Sequence, residues 1–150
     1  MSIIWGSATK TSLKLVERNL RFSARKILGK KKFDPIKFEI YETLNWLLPS
    51  DSYAYSALCF IFHNTVNKRF PYFQNLIKYR HEIHSHQTRN KNELHICTAP
   101  RSEYGKKSLV FKACNLWNQL PIEITNSETI YGFKSKLKMC LLNKGKANSV

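Results

Sequence analysis

Acidic residues are scarce in this chain. Ten Asp and Glu stand against 25 Lys and Arg, a formal net charge of +15 over 150 residues. Only two of the acids are aspartates, Asp34 and Asp51, and they do not adjoin. The paired carboxylates that hold two cations about 4 Å apart for nucleotidyl transfer or phosphodiester hydrolysis are therefore missing. Glycine is scarce as well, with five in the chain. Gly105, Lys106, Lys107 and Ser108 imitate the end of a phosphate-cradling loop, but Pro100 stands where its first glycine belongs. No Gly-x-Ser-x-Gly elbow occurs. The longest apolar run, Ala57 to Phe62, is six residues, far below the roughly 20 of a membrane span. The opening residues lack the apolar stretch of a signal peptide, and there is no Asn-x-Ser/Thr site. The chain is expected in the nucleus or cytoplasm, not secreted. Cys59, Cys97, Cys114 and Cys140 are too far apart for a Cys-x-x-Cys knuckle. They are expected to pack as small apolar residues, with no disulfide framework.

Apolar material is sufficient for folding. Hydrophobic residues make up 43% and aromatics 13%, so a chain of about one domain's length can build a core. The excess of positive charge suits a polyanion, nucleic acid first. That charge is clustered. Residues 10–32 hold nine basic residues and one acid, Glu17. In residues 33–66 the balance inverts, with Lys37 against Asp34, Glu39, Glu42 and Asp51. Basic residues dominate again over 67–112, and five lysines follow Glu128 with no acid. These shifts suggest a basic N-terminal helix over 1–33, a hydrophobic helical core over 34–78, an irregular basic loop over 79–106, a tryptophan-containing segment and last helix over 107–143, and a disordered tail over 144–150.

Periodicity predicts a mainly α fold: a small bundle of about five helices, a long irregular loop and at most one short strand pair. Leu13, Val16, Leu20, Ala24 and Ile27 recur at helical steps between about Thr11 and Leu28. Thr11 or Ser12 is placed to cap this helix, and Gly29 to end it. On another face Lys14, Arg18, Arg21 and Arg25 form a basic stripe about 16 Å long. Asp34 and Pro35 are expected to open a second helix carrying Ile36, Ile40, Leu44 and Leu47 inward. A third runs from Ser50 or Asp51 to about Asn67, with Ala54, Ala57, Leu58, Ile61 and Val66 as its packing set. Pro71 begins a helical turn. Leu94–Cys97 and Ser108–Phe111 read as two brief strands, or the second feeds directly into a helix through Trp117. The last helix starts at Ser127 or Thr129 and turns Ile130, Phe133, Leu137 and Leu141 to one side, Lys134 and Lys138 to another. Leu44, Leu47, Leu58, Ile61, Trp117, Phe133 and Leu137 are expected in one connected core.

Two residue groups suggest chemistry. His81, His84, His86, His95 and Cys97 have ligand types suited to zinc, though the spacing matches no established zinc pattern. Polar loop histidines are the plainer reading, and no cofactor is expected. Phe70, Tyr72, Phe73, Tyr79 and Arg80 interleave aromatic and basic residues as base-stacking surfaces do, although core packing is the commoner role. Arg25, Lys26 and Lys30–Lys32 also fit a nuclear-import cluster.

Three further segments carry a resemblance. They are Arg101 to Ser108, with Tyr104-Gly105; Asn115 to Pro121, reading Asn-Leu-Trp-Asn-Gln-Leu-Pro; and Phe133 to Lys138, reading Phe-Lys-Ser-Lys-Leu-Lys. In that order they resemble the region after the polymerase core in reverse transcriptases of jockey-like non-LTR retrotransposons. The opening Trp5-Gly6-Ser7-Ala8 with the helix to Leu28, and the stretch from His84 to Arg89, are similar to the same region. The likeness spans about Trp5 to Leu142. It implies the thumb and post-thumb part of an RNA-directed DNA polymerase without its catalytic palm. It further implies a non-catalytic, mostly helical fragment that grips the template–primer backbone, RNA or DNA. Lys14, Arg18, Arg21, Arg25, Lys30, Lys31, Lys32, Arg89, Arg101, Lys106, Lys107, Lys134 and Lys138 are the expected nucleic-acid contacts. No membrane, small-molecule substrate or metal is expected. A protein–protein module docking on the palm and a zinc-stabilised His/Cys domain are the alternatives.

Overall fold

The computed structural model describes residues 2–5, 8–66, 68, 70–83, 93–96 and 102–149. They are mainly helical: α1 (Ser2–Trp5), α2 (Lys10–Ile27), α3 (Lys37–Glu42), α4 (Pro49–Thr65), α5 (Pro71–Gln74), α6 (Arg80–Ile83), α7 (Glu103–Lys106), α8 (Leu109–Asn118), α9 (Ile122–Thr125) and α10 (Ile130–Ala147). Among the described residues, β-structure is limited to an isolated antiparallel bridge between Tyr79 and Leu94, and no helix is long and apolar enough to cross a membrane. The chain divides into two compact units, Met1–Tyr55 with Ser135–Val150, and Ser56–Lys134. This division follows packing, whereas the expected segments followed charge.

In the first unit, the cap of α2 is Thr9, two residues before Thr11. Thr9 is extended, with φ −62° and ψ 153°, so its hydroxyl turns back to accept the Ser12 N–H at 3.3 Å. Gly29 ends the helix as expected. It adopts φ +64°, open to a residue without Cβ, while the Leu28 and Lys30 amides donate to the Ala24 and Arg25 carbonyls. Asp34 does not cap the next helix. Its carboxylate accepts the Lys31 N–H at 2.8 Å and closes the turn after α2. The helix α3 starts later, behind Ile36, with no side-chain cap. Asp51 is not a cap either. It lies in the first turn of α4 and accepts the Tyr41 hydroxyl at 2.5 Å.

The core of this unit joins Ala24, Ile36, Ile40, Tyr41, Leu48 and Leu142, with Leu20, Leu28, Leu44, Trp46 and Leu47 partly buried against them. The tail expected to be disordered belongs here. Helix α10 continues to Ala147, Gly145 is buried, Lys146 pairs with Glu42, and the Lys37 ammonium donates to the Asn148 carbonyl at 2.7 Å. Contacts with distant residues hold this segment.

Tyr41 links these pieces. Burial, and then its hydrogen bond to Asp51, push its phenol pKa well above the ordinary tyrosine range. Tyr41→Phe should cost about 1.5 kcal/mol, the low end for a hydrogen bond to a charged group, because Asp51 keeps access to water. The sign of the pH effect follows from the raised pKa. The unfolded phenol ionises near pH 10 while the folded one holds its proton, so this contribution is intact below pH ~10 and is lost as pH rises further. Urea melts at pH 8 to 11 should show a shallower alkaline loss in the variant than in the native protein.

In the second unit, Ala57, Leu58, Cys59, Ile61 and Phe62 of α4 are buried, as are Ala113, Cys114 and Trp117 of α8, and Phe133. Phe133 stacks on Phe62 with centroids 4.5 Å apart and on Trp117 at 5.7 Å. The seven residues expected in one core are thus divided. Leu58, Ile61, Trp117 and Phe133 are buried in the second unit; Leu44, Leu47 and Leu137 belong to the first. Val66 is 46% exposed, because α4 ends at Thr65 and the helical face stops with it. Ser108–Phe111 is not a strand. The Ser108 hydroxyl caps α8 by accepting the Phe111 N–H, which is also what the imitation of a phosphate loop does structurally. Leu94 gains its order from Asn118, whose amide accepts the Leu94 N–H at 2.9 Å and donates to its carbonyl at 3.0 Å.

Candidate nucleic-acid interface

The basic stripe of α2 lies beside the narrow line along which that helix packs. Ala24 is wholly enclosed and Leu20 and Leu28 are half-buried, so residues offset from them face water. Lys14, Arg18, Arg21 and Arg25, with Glu17, line a shallow groove of about 350 Å³. The four cations are not equivalent. Lys14 and Arg18 are exposed and have no ion pair or hydrogen bond among the described residues. Arg21 pairs with Glu17 one turn away. Arg25 reaches across to the Asp34 carbonyl, its Nη2 at 3.2 Å and Nε at 3.4 Å. Half the stripe is therefore free for an anion, and its C-terminal end is occupied in holding the loop that follows.

That loop extends the positive surface. Lys30 forms an ion pair with Glu39 at 2.7 Å, and this hydrogen bond, followed by the carboxylate's charge, raises its pKa above the usual lysine range. Its charge is largely answered within the fold. Lys31 and Lys32 are exposed. The Lys32 ammonium lies 5.4 Å from the centroid of the Phe33 ring, and Lys26 lies 5.7 Å from that of Phe22. These are cation–π distances. Phe22 is 61% and Phe33 88% exposed. Neither was singled out by sequence reading, although the run Lys30-Lys31-Lys32-Phe33 carries the signal of an aromatic side chain embedded in charge.

Other expected contacts stand elsewhere. Lys106 and Lys107 are exposed in the second unit, and Lys134, also there, is half-buried. Lys138 is exposed in the first unit, one helical turn along α10. Arg89 and Arg101 lie outside the described residues. The candidate surface is accordingly the one on the first unit: Lys14, Arg18, Lys31 and Lys32, backed by Arg21 and Arg25.

The expected aromatic–basic group makes ring contacts and an ion pair, while Phe70 and Tyr72 remain exposed. Phe60 takes Phe70 at 5.8 Å and Phe73 at 4.9 Å, Tyr72 meets Phe73 edge-on at 5.4 Å, and Tyr79 stacks on His81 at 5.5 Å. Arg80 is paired with Glu93 at 3.1 Å. Of the histidine cluster, His81 is exposed and His95 half-buried, whereas His84, His86 and Cys97 lie outside the described residues. Among the described residues no three His, Cys, Asp or Glu side chains stand close enough to share a metal ion.

No protein-family model, curated protein or solved structure matches this chain.

Proposed function

We propose that this chain is a non-catalytic, nucleic-acid-binding part of a retrotransposon reverse transcriptase, corresponding to the thumb and the segment beyond it, which grips template–primer backbone through α2. The observation that carries the reading is the pair of unpartnered cations, Lys14 and Arg18, in the groove along α2. Helical cations four residues apart follow a phosphate track and read no bases. The sequence boxes supply the polymerase origin, and the missing paired carboxylates supply the lack of catalysis.

The structure changes the expected size of the effect. Four free cations would flatten the slope of log affinity against log salt by about three units. With Arg21 paired and Arg25 holding the loop, Lys14→Ala with Arg18→Ala should account for most of the change: about 1.8 on B-form DNA, or about 1.4 on a single strand. Fluorescence anisotropy of labelled oligonucleotides at several salt concentrations measures this. Both residues are exposed, so the double variant keeps its fold, which circular dichroism checks. An unchanged slope would make the stripe a solvated helix face and remove the reading's residue-level support.

A second reading is favoured by one observation. Helix α2 also exposes Leu15, Val16, Phe22 and Ile27, at 58%, 44%, 61% and 59%. Exposed apolar side chains of that kind suit packing against a protein surface such as a polymerase palm. Concentration-dependent self-association that disappears in Leu15→Ser with Ile27→Ser, without loss of oligonucleotide binding, would support this docking role.

A further inference from the structure

The loop between α2 and α3 is tied down on several sides. The Lys30 amide donates to the Arg25 carbonyl at 2.9 Å. The Lys31 amide donates to the Asp34 carboxylate at 2.8 Å, and the Asp34 amide donates back to the Lys31 carbonyl at 3.3 Å. The Lys30 ammonium is anchored on Glu39, and the Arg25 guanidinium holds the Asp34 carbonyl. A loop fixed in this way has little freedom to lose when it binds. Yet the residue at its tip, Phe33, is left 88% exposed. Burying a phenylalanine side chain stabilises a fold, and this fold forgoes that gain here.

The surroundings of the ring indicate what covers it. Lys30, Lys31 and Lys32 immediately precede it, and Lys32 sits over its face. Arg25, the last cation of the α2 stripe, is bonded to the residue that follows it. Phe33 therefore stands at the end of the cationic track. A complementary partner has a flat apolar face flanked by negative charge, and a nucleotide with an unpaired base has both. An anionic lipid surface shares the charge, but it is met by a broad apolar face with cations at the rim, whereas here Lys30, Lys31 and Lys32 adjoin the ring itself.

Resting on the nucleic-acid reading of α2, we propose that Phe33 is a stacking platform for an unpaired base at the end of the phosphate track, so that the first unit recognises single-stranded nucleic acid, or the overhang beside a duplex, in preference to blunt duplex. Lys31 and Lys32 hold the phosphates on either side of the stacked base. Arg25 is a positioning residue that sets the loop.

The test compares three labelled probes by anisotropy: a single-stranded oligothymidylate of roughly 12 nucleotides, a size within the range of single-strand sites, a blunt duplex of equal length, and that duplex with a single-stranded overhang. Phe33→Ala should weaken binding of the single strand and the overhang about 5- to 150-fold, the worth of one stacked base. It should leave the blunt duplex and the salt slope unchanged. Phe33→Trp should retain the affinity, and its indole emission should be quenched on binding. Equal weakening on all three probes, or no weakening on any, overturns the proposal. So does loss of binding to phosphatidylserine–phosphatidylcholine vesicles in Phe33→Ala with oligonucleotide affinity intact, which would assign the ring to a membrane surface. If the Lys14 and Arg18 substitutions flatten the slope while Phe33→Ala has no effect, this proposal fails alone. If the native chain binds none of the oligonucleotides, both readings fail.

Discussion

Phe133→Ala should remove about 3–5 kcal/mol of stability, the range for truncating a fully buried phenylalanine. The ring has no exposed surface, and its two stacking neighbours are themselves closed off, Phe62 at 0% and Trp117 at 3% exposure. The rings lie within 27° of parallel on both sides. Two flat, rigid neighbours cannot collapse into the space as a flexible side chain would, so the void stays open and the cost falls in the upper part of the range. Domains of this kind are stable by only about 5–15 kcal/mol, so roughly a fifth or more of the total is at stake. Urea titration followed by tryptophan emission measures the loss. Phe133→Leu, which keeps most of the volume, should cost less than half as much. If leucine and alanine cost the same, ring stacking carries the contribution; a midpoint equal to the native one would show that this aromatic group does not hold the second unit together.

The position of Phe133 was legible from its spacing, as were Leu137 and Leu141, because a helix in contact with a core repeats at three and four residues wherever it is. The same rule found α2 and α4, and the periodic segments together identified a mainly helical chain. Capping was less legible. Thr9, Thr11 and Ser12 offer the same hydroxyl chemistry within four residues, and the backbone angle that decides among them is not encoded in residue type. Asp34 before Pro35 has the composition of a helix start, but its carboxylate found the Lys31 amide three residues back.

At the candidate interface, charge could be located from the sequence but not its availability. Helical spacing put Lys14, Arg18, Arg21 and Arg25 on one face, and they do line one groove. Which of them are free depends on partners. Glu17 to Arg21 is an i, i+4 pair visible in the sequence, whereas the Lys30–Glu39 pair and the Arg25–Asp34 bond need the chain to fold back. Long-range contacts were the least legible. Lys37 and Asn148 are bonded across 111 residues, and nothing near Asn148 announces it. The Leu-Trp-Asn box shows how the two levels combine: Trp117 read correctly as a core anchor, while the role of Asn118 in holding Leu94 appears only with both segments in place.

Gly145→Ala is expected to destabilise the first unit by about 2 kcal/mol or more, against the usual gain of about 1 kcal/mol for replacing glycine by alanine within a helix. Gly145 lies in α10, where propensity favours alanine. Its missing side chain is the space in which Tyr41 packs. A Cβ there would lie inside van der Waals distance of ring carbons Cδ1, Cε1 and Cζ. The ring cannot retreat cheaply. It is 2% exposed, and its hydroxyl is held by Asp51. Helix α10 is held in its turn by the Lys146–Glu42 pair and the Lys37–Asn148 bond. The clash must be relieved by giving up at least one of these contacts, and that loss exceeds the gain in helix propensity. A double-mutant cycle separates this cause from a general intolerance of α10. In a Tyr41→Ala background the obstructing ring is gone, so adding Gly145→Ala should be neutral or stabilising by up to ~1 kcal/mol. Chemical denaturation of the four proteins gives the coupling directly. A penalty that persists without the Tyr41 ring would place the constraint in the α10 backbone and reject the packing explanation.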